Sequence, residues 1–266
     1  MILNDFLIYF AAGAFSGVLS GLFGVGGGTV IVPILVFAFV SQGFPEAHIM
    51  HMALGTSLAT IIMTSIASAR AHHLKGNVNW DTVKRITPSI IFGTVLGALL
   101  AASLHSVWLQ IIFAIFLLVV ATQMALNFSP SPHTHLPGSF GTGVTGAMIG
   151  LLSSLVGIGG GSLTVPVLMY YNFTAQKAVG TSAAVGLPLA VAATTGYILT
   201  GIGIEHLPKY SIGFIYIPAL IGIAAISIFT APVGAAIAQR LSSVVLKRLF
   251  ALLLYIVGLK MVWGFF

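Results

Sequence analysis

The sequence is poor in charged residues and contains no cysteine. Asp, Glu, Lys and Arg make up 5% of its 266 residues, whereas they form about a quarter of an average soluble domain. Ten basic and four acidic side chains cannot cover the surface of a soluble fold of this size. We therefore expect the lipid bilayer to surround most of the chain. The lack of cysteine excludes disulfides, thiolate metal sites and cysteine nucleophiles.

Several functional classes find no support in the residues present. The net charge of +6 is dispersed along the chain rather than gathered on one basic face, which argues against a nucleic-acid partner. The sequence has no HExxH motif and no cluster of metal-ligand residues. We therefore expect no metal, no cofactor and no enzymatic activity.

Long uncharged runs separate the few charges. The longest lies between Arg85 and Lys177 and includes no Asp, Glu, Lys or Arg. Because one membrane helix needs about 20 apolar residues, such runs hold several spans each. The sequence predicts an all-α, polytopic membrane bundle of eight to ten segments.

Two motifs recur in the same order in the two halves of the chain. The first has four glycines within five positions and a proline shortly after them, and its copies begin at Gly24 and Gly157, an offset of 133. The second is Gly-Thr-Ser, whose copies begin at Gly55 and Gly180, an offset of 125. A constant order with changing offsets indicates an internal repeat with loop insertions.

Each half contains five predicted segments within one integral membrane domain. We assign residues 1–128 to the N-terminal half, 129–138 to a linker rich in turn-forming residues, and 139–266 to the C-terminal half. The predicted segments are 6–23, 29–42, 49–70, 84–103, 107–126, 139–156, 162–172, 176–200, 210–239 and 243–264.

The positions of the basic residues predict how the halves are oriented. They cluster between the third and fourth segments of the first half, but between the fourth and fifth segments of the second. Since basic loops face the cytoplasm, equivalent loops would lie on opposite sides of the membrane. This favours inverted repeats, which are common in secondary transporters. If the short second segment of each half dips into the membrane and returns, the halves are instead parallel.

The glycine-rich motifs predict helix breaks and a candidate anion site. A glycine-rich turn that opens a helix exposes N–H groups, and the helix dipole adds partial positive charge. Two such ends near the midplane would hold a small anion, helped by the hydroxyl that follows each turn. Alternatively, the glycines only permit close helix packing. The predicted substrate-binding residues of these motifs are Gly26, Gly27, Gly28, Thr29, Gly159, Gly160, Gly161 and Ser162.

The Gly-Thr-Ser motifs would extend this site as a shared polar cavity, although such hydroxyls often bond only to their own helix. The four acidic residues fall near predicted ends or loops, which favours an anionic substrate over a cation. His48 and His51 are the only candidates for a proton switch near the cavity. The predicted binding residues of the second motif are Thr56, Ser57, Thr181 and Ser182.

Together these motifs resemble the TauE/SafE family of sulfite and organosulfur-anion exporters, also called the toluene sulfonate uptake permease family. His73–Trp80 also looks like a family motif, with Asn79 where the family often has Asp. The resemblance implies a multi-pass permease of the cell (inner) membrane for small anions of the sulfite and sulfonate class. Family members are often described with eight spans, fewer than the ten segments predicted here.

The expected function is secondary transport, as a permease or exporter, by alternating access at a midplane site. An anion channel built from the same donors is one alternative. An uptake permease for the same substrate class is another. The oligomeric state, including a homodimer, stays open.

Overall fold

A computed structural model of the chain describes residues 2–23, 27–126, 138–238 and 243–263, and most of this backbone is helical. A short 3₁₀ helix covers Glu46–His48, and two strands, β1 (Ser211–Ile212) and β2 (Ile215–Tyr216), form an antiparallel hairpin. The described α-helices are α1 (Ile2–Phe23), α2 (Gly28–Ser41), α3 (Ile49–Leu74), α4 (Trp80–Ser103), α5 (Ser106–Ala125), α6 (Ser139–Val156), α7 (Gly161–Tyr170), α8 (Ala175–Gly201), α9 (Ile217–Ala238) and α10 (Ser243–Trp263).

The helices confirm the prediction of an all-α membrane protein. Among the described residues, five helices are long and apolar enough to cross a membrane, namely α3, α4, α5, α6 and α8. By contrast α2 has 14 residues and α7 has 10. At 1.5 Å per residue they reach only about 21 and 15 Å, which is short of a hydrocarbon core of about 30 Å.

Several predicted boundaries differ from the structure, and two of these differences have a visible cause. Helix α4 begins at Trp80 rather than at residue 84, because the Asn79 side chain accepts the N–H of Thr82 at 3.0 Å and caps the helix. Helix α9 begins at Ile217 rather than at residue 210, because the hairpin takes up the residues before it. Of the predicted linker, only Gly138 belongs to the described residues.

Helices α3 and α8 pack against each other in opposite directions. Gly55, near the start of α3, lies against Tyr197 and Phe214, which belong to the last turns of α8 and to the connection after it. Gly180, near the start of α8, lies against Asn77, which follows the end of α3. Every residue from 49 to 61 is buried, so the first half of α3 forms part of the core of the bundle.

Two further helix pairs run side by side in the same direction, α1 with α9 and α6 with α4. A Cβ at Gly13 would lie 2.9 Å from the Ile223 carbonyl oxygen, and one at Gly17 would lie 2.7 Å from the Ser227 Cα. Glycines one helical turn apart allow such close backbone contact between membrane helices. The matching contacts of the second pair are Gly93 with Ala147 and Gly97 with Leu151.

Candidate functional site

Each glycine-rich motif contains a left-handed glycine that opens a short helix. Gly27 precedes α2 with φ 77° and ψ −24°, and Gly160 precedes α7 with φ 76° and ψ −19°. A Cβ is disfavoured in this region of backbone space, so glycine is the residue that fits. The two motifs thus adopt the same backbone geometry at equivalent positions of the two halves.

The first N–H groups of α2 and α7 take no part in the hydrogen bonds of their own helices. In each helix, the carbonyl of the left-handed glycine accepts the first two hydrogen bonds. The donors are the N–H groups of the third and fourth residues after that glycine. The N–H groups that precede these bonds need partners from outside the helix. They belong to Gly28, Thr29, Gly161 and Ser162.

The two breaks touch each other inside the protein. A Cβ at Gly28 would lie 2.6 Å from the Gly157 carbonyl oxygen and 3.0 Å from the Ile158 Cα. The same Gly157 carbonyl accepts a hydrogen bond of 2.9 Å from the hydroxyl of Ser57 on α3. In the two motifs, residues 27–28 and 157–160 are buried, and Gly161 is half-buried. The structure therefore brings together two glycine motifs that lie far apart in sequence.

Both breaks lie beside the middles of the long helices α3 and α8. Ile61, which contacts Gly28 and Gly159, lies midway between the first and last residues of α3. Gly186, against the Gly159 carbonyl, lies close to the midpoint of α8. At a rise of about 1.5 Å per residue, these positions are about 18 and 17 Å from the helix starts.

Several hydroxyl groups of the predicted site are buried and have no hydrogen-bond partner within the described ranges. They include those of Thr29, Ser162 and Ser182. Thr29 lines a small apolar cavity of about 70 Å³ between α1, α2 and α10, together with Phe15 and Leu253. A buried hydroxyl without a partner loses its hydration, so such groups are available to a polar ligand.

The hydroxyls of Thr56 and Thr181 are occupied by backbone N–H groups from the opposite half. Thr56 accepts the N–H of Tyr216 at 3.0 Å, and Thr181 accepts the N–H of Asn79 at 3.0 Å. Both threonines are fully buried. In this conformation they hold the α8–α9 and α3–α4 connections against the long helices. Their predicted part in substrate binding stays a prediction.

Of the other predicted residues, Gly159 lies against Ile61, Gly160 lies against Leu189, and Gly161 begins α7. Gly26 lies outside the described residues. The structure thus groups Gly28, Gly157 and Gly159 with Ser57 and Ile61 on α3.

Charged side chains are absent from the interior that the structure describes. Every Asp, Glu, Lys and Arg whose burial is described is exposed or only partly buried. His51 is buried, and its Nε2 lies 3.0 Å from the Ala101 carbonyl and 3.1 Å from the Leu104 carbonyl. Since a carbonyl oxygen only accepts, this nitrogen carries the proton and donates it. His51 thereby ties the start of α3 to the end of α4.

Sequence reasoning missed three residues that shape the breaks. Tyr197 is fully buried on α8, and its hydroxyl donates to the Ser154 carbonyl at the end of α6 at 3.0 Å. Ile61 and Gly186 flank Gly159. Ile61 and Gly186 are 125 residues apart, which is the offset of the Gly-Thr-Ser motifs. An alignment of the third segments of the two halves would therefore have paired them. No sequence signal singles out Tyr197.

The sequence model of the TauE/SafE sulfite exporter family matches residues 9–261. The chain belongs to this family. It is 38% identical over 256 residues to a probable membrane transporter protein of Haemophilus influenzae, covering 96% of this chain and 97% of the relative. A probable membrane transporter protein of Methanocaldococcus jannaschii is 31% identical, covering 92% and 91%. No solved structure matches the chain.

Membership of the family confirms the resemblance that the motifs suggested. The chain is a multi-pass membrane transporter and not an enzyme. Because the match extends over both halves, each glycine-rich break belongs to the part shared with the family.

Proposed function

We propose that the chain is a secondary transporter of small anions, of the sulfite and organosulfonate class, which binds its substrate between the two breaks. The observation that carries the proposal is the contact between the start of α2, at Gly28, and the break that leads into the start of α7, at Gly157 and Ile158. Unbonded N–H groups at such starts substitute for the water around an anion. The binding residues are those predicted from the two motifs, including Gly26.

The chemistry around the breaks supports an anion rather than a cation. The donors are backbone N–H groups, hydroxyls and the positive ends of two helix dipoles. The carboxyl end of α6 would oppose an anion, but Tyr197 donates to its Ser154 carbonyl and Ser57 donates to the Gly157 carbonyl. No described carboxylate is buried near them. A cation site would require such acceptors.

Helix directions support an inverted repeat of the halves 1–128 and 139–266, joined by the linker 129–138. Helices α3 and α8 occupy equivalent places in the two halves and run in opposite directions. The pair of α1 with α9 corresponds to the pair of α6 with α4, as a two-fold relation between inverted halves requires. Alternating access would follow from one half rocking against the other.

Energetics favour export without an obligatory coupling ion. A membrane potential that is negative inside expels one negative charge with about 2.3 kcal/mol per 100 mV. By mass action this sustains about a forty-fold gradient. Uptake of the same anions would need a second driving force. We therefore propose export across the cell (inner) membrane.

The test is transport of labelled sulfite and methanesulfonate into and out of proteoliposomes, with and without an imposed potential. We expect saturable flux, acceleration by the potential and counterflow when unlabelled anion is placed on the other side. Protein-free liposomes are the control. Single-channel currents without counterflow would establish the channel alternative. Flux equal to that of the protein-free liposomes for both anions would overturn the proposal.

A further inference from the structure

One apolar side chain fills the space between the two breaks. Ile61, on α3, is 1% exposed. Its Cδ1 would lie 3.2 Å from a Cβ at Gly28, and its Cγ2 would lie 2.5 Å from a Cβ at Gly159. Ile61 therefore contacts both breaks at once. The side chain of Ile61 is a hydrocarbon and cannot hydrogen-bond to an anion, so it affects the site only by the volume that it occupies.

The equivalent position in the other half carries no side chain. Adding the Gly-Thr-Ser offset of 125 to Ile61 leads to Gly186 on α8. A Cβ at Gly186 would lie 2.7 Å from the Gly159 carbonyl oxygen and 3.3 Å from the Ser65 hydroxyl. The two long helices thus approach the same break differently, α8 through its backbone and α3 through a branched side chain. Of these two neighbours of Gly159, only Ile61 has a side chain that can be shortened, so the residue at position 61 determines how much space lies beside Gly159.

We infer that Ile61 determines the size of the anion that the transporter accepts. This inference rests on the proposed function and narrows its substrate class. With Ile61 in place, the room left between the breaks admits at most a compact oxyanion such as sulfite and excludes the alkyl chain of a larger sulfonate. A shorter side chain at position 61 makes room for that chain beside Gly28 and Gly159. Since Ile61 is 1% exposed and contacts Gly28 and Gly159, the added room faces the breaks rather than the lipid.

The expected change in substrate preference can be estimated from how strongly apolar pockets distinguish ligands that differ by one methylene group. One extra or missing methylene in an apolar pocket changes selectivity by about 10- to 200-fold. Ile61→Ala removes three carbon atoms and Ile61→Val removes one. The preference for a longer sulfonate should therefore rise in steps from wild type through Ile61→Val to Ile61→Ala.

The experiment compares sulfite, methanesulfonate and propane-1-sulfonate in proteoliposomes. The two sulfonates carry the same charge and head group and differ only in chain length. We expect the kcat/KM ratio of propane-1-sulfonate to sulfite to rise at least about tenfold in Ile61→Ala, and by less in Ile61→Val. Leu117→Ala is the matched control, because Leu117 is a fully buried residue of α5. This control should leave the ratio unchanged.

The outcomes separate the inference from the proposed function. If wild type and Ile61→Ala both transport sulfite but have the same ratio, Ile61 only packs the core and the inference is wrong. Ile61→Val removes a single methyl group and tests the same ratio should Ile61→Ala fail to fold. If wild type moves none of the three anions in either direction, the proposed function itself is wrong, whatever the variants do.

Discussion

The connection from α3 to α4 and the connection from α8 to α9 differ in structure, yet each makes the same contact with the long helix of the other half. The first is a short loop, residues 75–79, whereas the second includes the β1–β2 hairpin. In both, a backbone N–H donates to a buried threonine at 3.0 Å, from Asn79 to Thr181 and from Tyr216 to Thr56. The carbonyls of Asn77 and Phe214 lie against the glycines at 180 and 55.

The comparison explains why glycine and threonine are adjacent in the repeated motif. The glycine removes the Cβ that would meet a carbonyl oxygen, at 2.5 Å for Gly180 and 3.1 Å for Gly55. The threonine supplies the acceptor for a nearby N–H. Since both partners are backbone groups, the contact is independent of the side chains in the connection. A loop in one half and a hairpin in the other therefore satisfy the same motif.

The largest expected effect comes from placing a side chain at equivalent positions of the two breaks. Gly27→Val and Gly160→Val put a β-branched residue at φ near +76°, where an L-residue is strained by about 1–3 kcal/mol. We expect each variant to lose transport of labelled sulfite in proteoliposomes. The reason is that the N–H groups after the turn are displaced from the opposite break.

Gly43→Val is the matched control for this comparison. Gly43 has φ 70°, and a Cβ there would meet nothing within 4 Å. The control carries the same backbone strain away from the breaks and should keep most of the transport. If both break variants transported sulfite like wild type, the breaks would not form the site. If only one lost transport, the halves would contribute unequally.

A smaller effect is expected at the paired threonines. Thr56→Val and Thr181→Val each leave a half-buried N–H without its acceptor, which costs about 1 kcal/mol of unfolding free energy. The measurement is denaturant unfolding in detergent micelles. Thr56→Ser and Thr181→Ser keep the hydroxyl and should recover most of the loss. Equal losses at the two sites would sharpen the comparison, whereas no loss at either site would contradict it.

The smallest effects concern the caps of α4 and α8. Asn79 accepts the Thr82 N–H at 3.0 Å, and Thr174 accepts the Lys177 N–H at the longer distance of 3.4 Å. We expect Asn79→Ala to cost about 1 kcal/mol and Thr174→Ala to cost less, measured by the same unfolding assay. Asn79→Asp should be nearly neutral because aspartate caps equally well. A large loss in Asn79→Asp would show that the amide has another role.

Much of the helical framework could be predicted from the sequence, because membrane helices depend on long apolar runs and on their interruptions. All but one of the predicted segments begin within about one helical turn of a described helix start. The exception is α9. The apolar residues of β2 suit a membrane helix as well as a strand, and the hairpin is held by its docking on Thr56 of α3. A local pattern carries no information about that contact.

The candidate site could be predicted only in part. The glycines of both breaks were identified by their repetition, and the structure places Gly28 against Gly157 and, across Ile61, beside Gly159. Ile61 was missed because an isoleucine in an apolar helix gives no signal of its own. Thr56 and Thr181 were expected beside the breaks. In this structure their hydroxyls accept backbone N–H groups of the connections, and their part in substrate binding stays a prediction.

Composition and repetition alone determined that this chain lies in a membrane, and they predicted two related halves that are each interrupted by glycines. Those properties depend on the transfer of residues to lipid and on local backbone freedom, which each segment carries by itself. Only the tertiary structure decided which helix faces which break, which hydroxyls bond to neighbouring backbone, and that Ile61 and Gly186 meet at Gly159. Such contacts depend on the packing of segments far apart in sequence.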